Sequence, residues 1–161
     1  MQKIVANLWF DGNAKEAVDF YTSVFKDGKV GTTSYYPTEG LLDFQKPLAG
    51  KELTVNFELG GQQFTAINAG PEFKFTPAIS LSISCKDQAE IDYFWEKLSA
   101  VPEAEQCGWI QDKYGLSWQI VPENIDAIMV GPNGSSNPKS FAALMKMKKL
   151  DIAELEKAAK S

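Results

Sequence analysis

Ser80, Ser82 and Ser84 alternate with Leu81, Ile83 and Cys85, and Ser117, Gln119 and Val121 alternate with Leu116, Trp118 and Ile120. Successive side chains of an extended strand point to opposite faces, so each run gathers its hydroxyls and amide on one side. Such groups can hydrogen-bond an organic molecule or act as oxyanion donors, but they do not exchange protons near neutral pH. Histidine, the commonest ligand for zinc-like metals and the usual general base, is absent from the chain. Its absence removes His-dependent triads, HExxH zinc sites and two-His facial triads. Carboxylate-only sites for magnesium or calcium stay open.

Other residues have two readings. Cys85 and Cys107 fall at the end of one strand and the start of another. They are either a redox pair or two small hydrophobes, and no basic neighbour of Cys107 favours a thiolate. Trp109, Tyr114 and Trp118 are suited to stacking on an aromatic ligand or to the core; Trp118 is assigned to the core and Trp109 is left open. Asp112 and Lys113 are expected in a solvated hairpin turn. Glu58 shares a strand face with Thr54 and Asn56 and, next to the Gly60 turn, is expected to be exposed. Lys146, Lys148, Lys149 and Lys157 read as a solvated helix surface.

These side chains need a scaffold. The 161 residues are 44% hydrophobic and 23% charged, as in ordinary globular domains. No apolar run reaches the roughly 18 residues of a membrane span, and MQKIVANLWF lacks the features of a secretory signal. Two cysteines suit a reducing, cytoplasmic setting. A net charge of -5 argues against nucleic acid as a partner.

Capping-box signals mark three helix starts: Asn13 with Glu16, Asp87 with Glu90, and Asp151 with Glu154. Behind the first, Ala17, Phe20, Tyr21 and Val24 recur at helical spacing; behind the second, Ile91, Phe94, Trp95 and Leu98 do so. The two helices lie 74 residues apart. Each follows a strand, at 4–10 and 78–85. Further strands are predicted at 29–36, 53–59 and 62–69, with Gly60-Gly61 as a tight turn, then around 104–110 and at 116–121. The third strand after the second helix is not assigned. The expected fold is therefore α+β, a single domain over 1–161 made of two βαβββ modules, 1–72 and 73–130, with a helical tail at 131–161. The tail carries a Phe141, Leu144, Met145, Lys148 stripe. It is expected to pack on the body or, in a second reading, on another subunit.

Helices need an apolar partner, so Ile79, Leu81, Ile83 and Cys85 are expected beneath the second helix, leaving the serine face to solvent or a cavity. In the first strand Val5, Asn7 and Trp9 are expected to face the helices. Ala6, Leu8 and Phe10 would then line the cavity, opposite Ser80, Ser82 and Gln119. Such a pocket suits a small, mostly apolar or aromatic ligand with a polar end.

NLWFDGNAKEAVDFYTSVF from Asn7, INAGPEFKFTPAISLSISCKDQAEIDYFWEKLS from Ile67 and CGWIQDKYGLSWQIVP from Cys107 resemble the PhnB-like branch of the glyoxalase/bleomycin-resistance/dihydroxybiphenyl-dioxygenase superfamily, the vicinal-oxygen-chelate proteins. LMKMKKLDIAELEKAAK, from Leu144, is similar to that branch's C-terminal segment. The resemblance implies paired βαβββ modules in a curled mixed sheet and a homodimer. In the enzymes of the superfamily it also implies a divalent metal held by His and Glu. The implied ligand positions correspond to Ala6, to Ser80 or Ala78, to Asn68 or a neighbour, and to Gln119. None is His, Asp or Glu, so no metal and no other cofactor is expected. The branch is often labelled 3-demethylubiquinone-9 3-methyltransferase. A common methyltransferase fold would show a glycine-rich turn after its first strand, whereas DGNAKEA has one glycine. Three functions follow. The first is a binding protein with Ala6, Leu8, Phe10, Asn68, Ser80, Ser82, Trp109 and Gln119 as ligand contacts. The second is a metal-free enzyme positioning substrate through Gln119, Ser80 and Ser82. The third is a carboxylate and amide metalloenzyme.

Overall fold

Among residues 2–161, which the computed structural model describes, the apolar periodicities resolve into an α+β chain with two mixed sheets and a helical C-terminal region. Backbone packing divides it into a unit that runs to Lys74 and a second unit, Phe75–Ser161.

The first unit comprises β1 (Ala6–Asp11), α1 (Ala14–Val24), β2 (Lys29–Tyr35), a 3-10 turn (Asp43–Leu48), β3 (Glu52–Leu59) and β4 (Gln62–Ala69). The sheet order is β1-β4-β3-β2, with β1 parallel to β4 and the other pairs antiparallel. Gly60 and Gly61 join β3 to β4 at φ +54° and +75°, the left-handed pair that a two-residue hairpin needs. The face under α1 is fixed by three rings: Tyr21 stacks on Phe57 at 6.2 Å, and Phe57 stacks on Phe64 at 5.2 Å.

The second unit comprises β5 (Ser80–Cys85), α2 (Gln88–Leu98), a 3-10 turn (Pro102–Ala104), β6 (Trp109–Gln111) and β7 (Ser117–Pro122), in the sheet order β5-β7-β6. β5 and α2 begin and end 74 residues after β1 and α1. The repeat is incomplete, however. Where the first unit has β2, the second has the Pro102–Ala104 turn, and β6 has only three residues. Here the expected second βαβββ module is a βαββ unit. Proline at 102 lacks the N–H a ladder requires.

Ile79 lies before β5 and is 74% exposed, so the buried apolar face of this strand begins further along, at Ile83 and Cys85. Beneath α2, these two pack with Ile91, Phe94, Leu98, Ile110, Trp118 and Ile120, all buried. Trp118 is thus core, as its alternation indicates.

Two polar expectations are corrected. Asn13 makes no side-chain cap; the Ala14 N–H is instead accepted by the Asn68 amide oxygen at 3.1 Å, across 54 residues of chain. By contrast Asp87 caps α2 through the Glu90 N–H at 2.9 Å, and Asp151 caps the last helix through the Glu154 N–H at 3.0 Å. Asp112 is not solvated but 1% exposed. One carboxylate oxygen accepts the N–H groups of Tyr114 (2.8 Å) and Leu116 (3.1 Å), and the other accepts the Trp118 indole N–H at 2.9 Å. This carboxylate shapes the β6–β7 hairpin and accounts for the DKYGLSW spacing.

The C-terminal region forms α3 (Ile125–Met129), α4 (Pro138–Leu144) and α5 (Ile152–Lys160). Ile128, Leu150 and Leu155 make its core, with Val121, Ile125, Leu144 and Met147 around them. Its link to the sheet is also polar: Cys107 and Gly108 donate to the Met147 and Lys148 carbonyls at 2.9 and 2.8 Å. The tail therefore packs on its own chain, while Phe141 and Met145 of its stripe stay exposed.

Candidate functional site

Register places four of the expected contacts together. Ser82 lies opposite Gln119 on β7, and Gln119 lies opposite Trp109 on β6, giving one row across the second sheet. Ser80 is one step along β5 on the same face, and the Gln119 amide N–H donates to its hydroxyl oxygen at 2.9 Å. Ser82 is exposed; Ser80, Trp109 and Gln119 are half-buried. With its amide N–H committed to Ser80, Gln119 has its carbonyl oxygen as an acceptor, while the Ser80 and Ser82 hydroxyls can donate. This face carries Ser80, Ser82, Ser84, Trp109, Gln111, Ser117, Gln119 and Val121, none of which ionises near neutral pH; Ser117 is buried and Val121 packs against the helical tail. The face can orient a ligand and stack on it, but it has no proton to transfer.

The other four contacts lie elsewhere. Ala6, Leu8 and Phe10 are in register with Phe64, Ala66 and Asn68, on the face that α1 covers. The expectation that they look away from the helix is thus inverted, and Asn7 and Trp9 occupy the uncovered face instead. The cause is the turn into the helix. Gly12 adopts φ +76°, which Lys86, its counterpart 74 residues on, does not, and Asn13 has ψ 24° where Asp87 has 174°, so equal offsets give opposite strand faces. Leu8 and Phe10 are core residues. Asn68 is 3% exposed and fully engaged, accepting from Ala14 and donating to the Glu52 carbonyl at 3.0 Å. Its role is to tie α1 to the sheet.

Uncovered residues of the first sheet include Trp9, Thr54, Asn56, Glu58 and Thr65, of which sequence reasoning placed Thr54, Asn56 and Glu58 on one face and missed Trp9 and Thr65 as their partners. A signal was present, since an Asn7–Trp9 pair is a poor surface for an amphipathic helix while Leu8–Phe10 is a good one. Asn56 accepts from the Thr65 hydroxyl at 2.8 Å, and Glu58 lies 3.6 Å from the Lys29 ammonium, with a third of its side chain exposed.

Both cysteines are free thiols. Burial, helped by the charges of Glu90 and Asp87, pushes the Cys85 thiol up to about 12, so it is an inert core group. Cys107 lies 3.9 Å from the Met145 sulfur. Among the described residues, no three His, Cys, Asp or Glu side chains gather closely enough to hold a metal ion, and no helix is long and apolar enough to cross a membrane.

Two mixed sheets, each with a β-α-β start whose first strand lies at a sheet edge and pairs in parallel, place this chain in the PhnB-like class of α+β proteins. The chain belongs to the 3-demethylubiquinone-9 3-methyltransferase family, which matches residues 2–121. A PhnB protein from Bacillus cereus is 35% identical, with a TM-score of 0.60, over 74% of this chain and 99% of its own. A Pseudomonas aeruginosa protein shares the fold at 19% identity and a TM-score of 0.57, over 76% of this chain and 98% of its own. No curated protein matches the chain. The family match stops at residue 121, so α3, α4 and α5 lie beyond it.

Proposed function

We propose that this protein binds a small, partly aromatic organic molecule on the Ser82–Gln119–Trp109 part of the β5-β7-β6 sheet, on the face opposite α2, without a metal ion. The observation that carries the reading is the row Ser82–Gln119–Trp109, with Ser80 fixed to Gln119 by a hydrogen bond. A half-buried indole beside hydroxyls and an amide oxygen is the mixture that gives a small ligand both contact area and orientation.

The metal-free part of the reading rests on donor chemistry. At the positions where the resemblance implies metal ligands stand Ala6, Asn68, Ser80 and Gln119. The first is a methyl group under α1, and the second has both amide atoms spent. Neutral hydroxyl and amide groups do not hold zinc or iron without charged partners. These residues do not fit a catalytic divalent metal. Nor does a nucleotide-bearing methyl donor fit the first strand–helix turn in the usual manner. That turn has one glycine, and the Ala14 N–H at the start of α1 is already taken by Asn68. We therefore read the family's methyltransferase description as not extending to this chain. A homodimer in a cytoplasmic setting completes the proposal, supported by the exposed Phe141 and Met145 and by the two free thiols.

The test is a thermal-shift screen of small aromatic acids, phenols and quinols on the full chain in chelator, with hits titrated by calorimetry. Gln119→Ala is expected to weaken a genuine hit about fivefold or more through loss of one hydrogen bond. Its melting temperature should stay within about 3 °C of the parent. A hit whose affinity is the same in Gln119→Ala and Ser82→Ala would place the ligand off this face.

A further inference from the structure

A cleft of about 420 Å³ opens in the first unit, between the C-terminal ends of β1 and β4 and the segment that carries the Asp43–Leu48 turn. Its walls include Trp9, Tyr36, Phe44 and Leu48, and its charged groups are Asp11 and Glu72. Neither lysine nor arginine lines it; the chain contains no arginine at all. Phe73 packs edge-on against Trp9 at 4.8 Å and holds the indole plane in place.

The hydrogen bonding of this cleft decides what it can take. The Trp9 indole N–H donates to the Gly70 carbonyl at 2.9 Å, and the Tyr36 hydroxyl donates to the Asn68 carbonyl at 2.8 Å. The aromatic donors are thus committed to backbone. The Ala14 N–H at the start of α1 is likewise capped, by Asn68. By contrast, the carboxylates of Asp11 and Glu72 are in none of the ion pairs among the described residues. Glu72 bends back over Gly70, and its charge helps to hold the Tyr36 phenol above its usual value, after burial. The cleft is therefore lined by aromatic side chains and anionic acceptors, with few side-chain donors left to offer. An anion would meet two carboxylates and no cation. A neutral polar molecule would find little beyond the Gln45 amide to donate to it. A group that carries positive charge on an apolar body finds both attractions at once, since aromatic faces and carboxylates each draw a cation.

We propose that this cleft is a binding site for a small organic ammonium ion, with Trp9, Tyr36 and Phe44 as the aromatic walls and Glu72 and Asp11 as the counter-charges. The cleft shares no residue with the Ser82–Gln119–Trp109 row, so the two readings are tested by different variants.

The experiment uses the full chain, choline as the probe and 3,3-dimethylbutan-1-ol as its uncharged isostere. Binding is followed by proton NMR of the probe's methyl groups at low ionic strength. Choline is expected to bind saturably, with its methyl resonance moved upfield by the rings, and to bind at least fivefold more tightly than the isostere. Glu72→Gln and Phe44→Ala alter exposed side chains and leave the fold intact. Each is expected to weaken choline roughly two- to fivefold, and added salt should act in the same direction in the parent. Equal affinity for probe and isostere overturns the proposal. So does the absence of saturable binding, or choline affinity unchanged in both variants.

Discussion

Asp112→Ala is expected to lower the free energy of unfolding by about 3–5 kcal/mol, measured by urea denaturation of the full chain. The carboxylate is buried and serves three donors: the N–H groups of Tyr114 and Leu116 and the Trp118 indole. Truncation to a methyl group leaves all three without an acceptor, at a place too tight for bulk water to replace it. Asp112→Asn keeps the shape and one oxygen, so it should cost less, about 1–3 kcal/mol, because only part of the donor set loses its partner. The Trp118 fluorescence should respond in both variants. A stability of Asp112→Ala equal to that of the parent would mean that the β6–β7 hairpin does not depend on this carboxylate.

Leu150→Ala is the second large effect, expected at about 2.5–5 kcal/mol from lost burial and the cavity left behind. Leu150 is 1% exposed within the cluster it forms with Ile128 and Leu155. It also bears on the sheet. A side chain at Gly108, which has φ +84°, would come within 3.2 Å of Leu150, so the leucine packs directly against that backbone. The tail holds the same segment through the Cys107 and Gly108 N–H groups. The loss should therefore appear beyond the tail, as faster hydrogen exchange at Cys107 and Gly108 and reduced stability in denaturant. Unchanged exchange at those amides would show that the tail and the sheet are held separately.

Much of this architecture was legible in the residues. The 74-residue offset between the two strand–helix starts recurs in the structure because helical spacing is a local signal, although both strands begin two residues later than expected, at Ala6 and Ser80. Gly60-Gly61 announced the β3–β4 hairpin for the same reason. Ser80, Ser82 and Gln119 were found as one group because a two-residue period determines which side chains share a face, whereas Trp109 joins them only through the β6–β7 register. The failures were non-local. Asn68 stands in a strand and caps a helix that begins 54 residues earlier, a partnership no local pattern reveals. Asp112 looked like a turn residue in solvent because the indole that buries its charge lies on the following strand. The inverted faces of Ala6, Leu8 and Phe10 go with a different turn into the helix, where Gly12 has a positive φ and Asn13 has ψ 24° against 174° at Asp87. The third strand of the second unit was not assigned because the segment there forms a short 3-10 turn.

Elemental analysis is the most direct check on the metal-free binding face. The full chain, purified without chelator and then equilibrated with zinc, nickel, manganese and iron(II) before desalting, is expected to retain far less than one metal ion per chain. Gln119→Ala should change nothing in that figure. A stoichiometric ion in the parent that is lost in Gln119→Ala would contradict the reading, because it would put a cation on the very side chains assigned here to an organic ligand.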